Sequence, residues 1–156
     1  MGDLGPTDLR LMQGLAQQVM ALRPELVNGD ATVGELAWVW GKDVDALDPF
    51  WRHRMWFEGG ALAAWGWAHL PYRVPRGDGA FRESKAANLI WQTRPDRPEL
   101  MDEILDWFDD VAGAVDRTLT VQSADVEAQA IVAAHGYAFD AEEGSDSGSW
   151  HQFNVR

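Results

Sequence analysis

The stretch from Ala86 to Phe108 constrains the fold most. An apolar run, Ala86-Ala87-Asn88-Leu89-Ile90-Trp91, passes through Gln92-Thr93-Arg94-Pro95-Asp96-Arg97-Pro98 into an amphipathic segment from Glu99, whose Leu100, Ile104, Leu105 and Phe108 share one helical face. A strand that feeds a helix sets the first free N–H groups of that helix, at the positive end of its dipole, where many folds hold pyrophosphate. The residues here argue against that use. The turn has no glycine, Pro98 has no N–H, and Glu99, Asp102 and Glu103 bring negative charge to the place of a phosphate.

The remaining elements follow from capping and turn signals. Thr7-Asp8 ahead of Leu9, Leu11, Met12, Leu15, Val19, Met20 and Leu22 predicts a helix over Thr7–Arg23. Thr32 and Glu35 form a capping box for a second helix carrying Leu36, Val39 and Trp40 and ending near Gly41, with Asp43–Pro49 polar and irregular. Trp51–Phe57 and Ala61–His69 flank Glu58-Gly59-Gly60 as a hairpin. On its second strand Trp65 and Trp67 share one face, and small residues occupy the other. Pro71–Ser84, rich in Pro, Gly and Arg, reads as a mobile loop. Arg117–Gln122 alternates as a strand, Asp125 caps a helix that stops at His135-Gly136, and Tyr137–Phe139 and Ser149–Val155 close the sheet around an acidic loop, 141–148. Hairpins mixed with crossover helices imply an α+β fold: a mixed, mostly antiparallel central sheet flanked by helices.

At 156 residues and 46% apolar content, the chain is the size of one domain, 1–156, that buries its own core. It has no cysteine, which excludes disulfides and thiolate chemistry. No basic n-region opens the sequence and no run approaches a membrane-spanning length, so a soluble cytoplasmic protein is expected. A net charge of −12 argues against nucleic acid and anionic membranes, and favours a neutral or cationic small molecule or another protein. The four histidines, His53, His69, His135 and His151, lack metal-ligand spacing, and no metal site is expected. Glu35 and Glu58 are candidate amine-binding carboxylates, each with a structural explanation in its cap or turn, and Asp102, Glu103, Asp106, Asp109 and Asp110 read as a solvated helix face.

Two patterns resemble the GNAT superfamily of acyl-CoA-dependent N-acyltransferases, over most of the chain from Thr7 onward. Asp125 to Tyr137 is similar to the family's N-x-x-A-x-x-x-Y-x-x-x-G-F, matching at Ala128, Gly136 and Tyr137, and Ile90 to Leu105 is similar to its central strand and pyrophosphate-binding helix, with Arg94-Pro95-Asp96-Arg97 leading into the loop. The resemblance implies acetyl-CoA as cofactor, with Trp91, Gln92, Thr93, Arg94, Arg97 and Leu100 as its contacts where it binds, and a substrate pocket at Trp38, Trp65, Trp67 and Trp91 for a small amine. The departures fall on the acyl-CoA apparatus. The family's Q/R-x-x-G-x-G/A loop is replaced by Arg97-Pro98-Glu99-Leu100-Met101-Asp102, the tyrosine that protonates the leaving thiolate falls at Val132, and the first strand is absent or reduced to Met1–Pro6. No catalytic residue can be assigned.

Such decay resembles the N-terminal half of tandem GNAT proteins. A partner is then a catalytic GNAT domain in cis, or a second copy in a homodimer, and the domain is accessory. An active acetyltransferase of a small amine and an aromatic-lined binding module stay open beside that reading. If the large aromatics fill the vacated cofactor groove, the core is closed where an active relative has a slot.

Overall fold

The computed structural model describes residues 4–26, 31–144 and 150–155. The chain runs α1 (Pro6–Leu22), α2 (Val33–Leu47), β1 (Trp51–Glu58), β2 (Ala61–His69), β3 (Tyr72–Pro75), β4 (Phe81–Ser84), β5 (Ala87–Thr93), α3 (Leu100–Ala112), β6 (Arg117–Gln122), α4 (Val126–Ala134), β7 (Ala138–Gly144) and β8 (Trp150–Val155). Six strands form one sheet in the order β1-β2-β5-β6-β8-β7, and β3 and β4 pair apart from it. All pairings are antiparallel except β5 with β6. The architecture is therefore the mixed, mostly antiparallel α+β sheet that the element order implies. No helix among the described residues is long and apolar enough to cross a membrane.

Alternation along β2 separates the two cores. Trp65 and Trp67, both fully buried, pack with Met12, Leu15 and Leu36 of α1 and α2, whereas Ala64 and Ala68 face Ile104, Leu105 and Phe108 of α3. Gly66 lies on the α3 side, where a Cβ would come within 2.7 Å of the Trp107 ring. The hairpin turn joining β1 to β2 holds Gly59 at φ +55° and Gly60 at φ +81°, backbone angles that glycine takes without strain.

Several element bounds differ from the sequence reading, each for a local reason. Helix α1 is capped by Gly5, whose N–H donates to the Asp8 carboxylate at 3.1 Å, so the helix starts before Thr7. Helix α2 runs through Gly41, whose missing side chain faces open space, because Leu36, Asp43 and Leu47 continue its buried stripe. Thr32 caps it by accepting the Glu35 N–H at 3.2 Å. Asp43, expected in an irregular stretch, is buried and paired to Arg82 at 2.5 Å. Burial alone would raise its carboxyl, but the Arg82 hydrogen bonds and charge outweigh this and hold it below the usual carboxylate range. Arg82 belongs to β4, so the segment read as a loop is a hairpin fastened to α2. Residues 145–148 of the acidic loop, and Ser149 at the start of the expected closing strand, lie outside the described residues, and β7 extends through the first part of the loop to Gly144.

Candidate functional site

The parallel ladder between β5 and β6 lasts for three residue pairs, Ala87 with Arg117, Asn88 with Thr118 and Leu89 with Leu119. Beyond Leu89 each strand stays paired on its outer side only, β5 with β2 and β6 with β8, and the two diverge. The Trp91 indole bridges part of the gap by donating its Nε1–H to the Thr120 carbonyl at 3.2 Å. The divergence opens a cleft holding about 900 Å³ of space, part of it open to solvent. Val19, Met20, Arg23, Leu26 and Thr32 wall it on the α1–α2 side, Pro95, Pro98 and Met101 on the α3 side, and Thr120, Gln122, Asp125 and Ala128 on the β6–α4 side.

Among the described residues lining this cleft, Arg23 and Asp125 are the only charged ones. They meet at 3.5 Å, joining the end of α1 to the start of α4, and Arg23 also bonds Glu25 at 2.9 Å. Asp125 accepts the Ala128 N–H at 3.2 Å, as its place ahead of α4 predicts. The Gln92 Oε1 is buried and finds no hydrogen-bond partner among the described residues.

The loop from β5 to α3 closes on itself. Arg97, Leu100, Met101 and Asp102 donate their N–H groups to the carbonyls of Arg94, Arg97, Pro98 and Glu99, at 2.9 to 3.2 Å. Both arginines are occupied as well. Arg94 bonds Glu58 at 2.9 Å and Asp96 at 2.5 Å, and Arg97 is paired with Glu58 and Glu99. Hydrogen bonds from Arg94 and Arg97 hold Asp96 and Glu99 respectively below the usual carboxylate range. Two guanidinium groups thus face three carboxylates in a turn without glycine, and these residues do not fit a diphosphate.

Sequence-named residues divide between the cleft and its surroundings. Trp91, Gln92 and Thr93 line it, while Arg94 and Arg97 are held at Glu58 and Leu100 is buried in the core below α3. Of the four tryptophans assigned to a substrate pocket, Trp91 alone lines the cleft. Trp65 and Trp67 belong to the α1–α2 core, and Trp38 is exposed, with the Lys42 ammonium 3.9 Å from its ring centroid. The closed groove expected from the aromatic content is not what forms, because Trp65 and Trp67 point away from the splay into the helices. Arg23 escaped notice, since its partner Asp125 is 102 positions away and no local pattern links them.

Proton donors and acceptors are sparse. Val132, at the position of the family tyrosine, is fully buried. Tyr137 donates its hydroxyl to Asp109 at 2.9 Å, and burial, with the Asp109 charge, pushes its pKa up. His135, at the end of α4, reaches Asp102 of α3 at 2.7 Å. His69 is buried away from the cleft, and burial pushes its pKa down to about 4. Among the described residues no group of three or more His, Asp or Glu side chains is placed to hold a metal ion.

Neither a family model nor any curated protein matches the sequence. Solved structures do match the fold. An acetyltransferase from Thermus thermophilus superposes with a TM-score of 0.68 at 16% identity, covering 99% of this chain and 94% of that one. A GNAT-family acetyltransferase from Streptococcus pneumoniae gives 0.60 at 13%, covering 99% and 96%. YncA of Salmonella typhimurium, solved with its cofactor acetyl-CoA, gives 0.58 at 14%, covering 95% and 86%. At such identities the likeness is one of fold, and the fold is that of the GNAT acetyltransferases.

Proposed function

We propose that this chain is a GNAT-fold domain that keeps the acyltransferase cleft, has lost the anchor for the diphosphate of acetyl-CoA, and serves as an accessory domain beside a catalytic GNAT domain. The observation that carries this reading is the β5–α3 loop, where the N–H groups of Arg97, Leu100, Met101 and Asp102 are taken by the loop's own carbonyls and both arginines by carboxylates. Val132 in the place of a proton-donating tyrosine, and the lack of any histidine, tyrosine or glutamate among the described residues lining the cleft, support it.

Calorimetric titration with acetyl-CoA, with the double variant Pro98→Gly, Glu99→Gly in parallel, tests the proposal. No saturable binding by the wild type is expected, with binding gained by the variant. Micromolar binding by the wild type would overturn the loss of the anchor. A second reading, an active acetyltransferase of a small amine, is favoured by the open cleft. It requires both that micromolar binding and turnover of an amine.

A further inference from the structure

We infer that Glu58, in addition to the obstruction at Pro98 and Glu99, sets the arginines of this loop against phosphate: it lies across Arg94 and Arg97 as a built-in anion, and its removal turns the arginine pair into a polyphosphate site. The inference rests on the reading that the diphosphate anchor is lost, and names the group that occupies its arginines. Asp96 and Glu99 each sit two positions from the arginine they touch, are 67% and 56% exposed, and make the kind of local surface pair that water screens heavily. Glu58 differs in every respect. It comes from the β1–β2 hairpin, is 32% exposed, and contacts both arginines, one with each carboxylate oxygen.

Its position is built into the sheet. A β-bulge between Trp56 and Phe57 shifts the register just before Glu58, a device that re-aims the side chains at a strand end. From the other side, the Arg94 N–H donates to the Ala63 carbonyl of β2 at 2.7 Å and holds the loop beside the hairpin. The carboxylate and the two guanidinium groups therefore stay together without help from the start of α3. Arginine accepts phosphate with the same paired geometry as carboxylate, so Glu58 occupies the donors that a phosphate would use. Removing it changes the balance of this cluster from three carboxylates against two arginines to two against two, and frees a donor face on each arginine.

Inorganic pyrophosphate, which has no acyl chain to bind elsewhere in the cleft, is the probe. Calorimetric titrations of the wild type, Glu58→Gln, and Glu58→Gln combined with Arg94→Met and Arg97→Met, each with a thermal melt, separate the outcomes. The wild type is expected to show no saturable binding at millimolar probe. E58Q is expected to bind at least tenfold more tightly, with affinity falling as salt rises, and the triple variant to lose that gain. Equal binding by wild type and E58Q, silence from a folded E58Q, or binding that survives the arginine changes would each overturn the assignment. Glu58→Asp keeps the charge but withdraws it by one methylene. It is expected to bind with intermediate affinity, and carries the test if E58Q does not fold, with no gain over the wild type counting against the assignment. Acetyl-CoA binding by the wild type would break the earlier reading, whereas pyrophosphate binding reports on Glu58 itself.

Discussion

The two faces of β2 bury their polar atoms differently. On the α1–α2 face, Trp51, Trp65 and Trp67 bury their indole nitrogens and His69 its Nε2 with no hydrogen-bond partner among the described residues. On the α3–α4 face the aromatic polar ends are matched: Trp56 Nε1–H donates to Glu103 at 2.9 Å, Tyr137 to Asp109 at 2.9 Å, and Trp91 to the Thr120 carbonyl. One face gains from bulk and carries the cost of bare polar atoms, and the other gains from close approach and satisfied bonds. A strand that alternates large and small residues thus creates two cores with different sensitivities.

The largest test removes bulk from the first face. Trp67→Ala is expected to destabilise the domain by about 3–5 kcal/mol in denaturant titrations, the range for emptying a buried aromatic site, and a loss below about 1 kcal/mol would mean that this core collapses freely.

Protonation probes the same face. His69 titrates near 4 in the fold against an ordinary value of 6.5, with Asp43 and Arg82 as its charged neighbours. Below pH 6.5 the unfolded chain takes up a proton that the fold refuses. Stability therefore falls as pH drops from 6.5 towards 4, by roughly 3 kcal/mol at about 1.36 kcal/mol per unit, and this contribution levels off below. The fall should shrink in His69→Gln. An unchanged pH profile in that variant would remove His69 as the cause.

Gly66→Ala tests the close face. The Cβ meets the Trp107 ring at 2.7 Å, and overpacking of about 1–3 kcal/mol is expected, read as a lowered melting temperature. An unaltered melt would show that α3 can move aside. The smallest effect belongs to the edge of the cleft. Asp125→Ala removes the α4 cap and the Arg23 contact and should cost about 1 kcal/mol, while Asp125→Asn, which keeps a capping oxygen, should cost a few tenths. Equal losses would assign the effect to the ion pair.

Much of this was legible in the sequence where the controlling physics is local. The Gly59-Gly60 turn, the bulk alternation of Trp65 and Trp67, the bounds of β6 and the Asp125 cap depend on neighbouring residues, and the structure agrees with each. The run of α2 past Gly41 was not legible, because a helix tolerates glycine on an exposed side when buried residues continue beyond it. The β3–β4 hairpin was hidden by its Pro and Gly content, its anchorage resting on the Asp43–Arg82 pair across 39 positions. The candidate site followed the same rule. Trp91 was named only through the family resemblance, and the partners of Arg94, Arg97 and Arg23 come from distant segments that only the folded sheet brings together.

The brief parallel ladder between β5 and β6 gives the molecule a mechanical seam. Three residue pairs and one indole bond join the β1-β2-β5 half of the sheet to the β6-β8-β7 half, whereas β2 with β5 and β6 with β8 are each zipped over six pairs. Under force applied across the strands, the sheet should part there first. A cut after Gly113, in the turn between α3 and β6, would leave fragments that each carry half of the sheet, with the cleft restored only when the two reassociate.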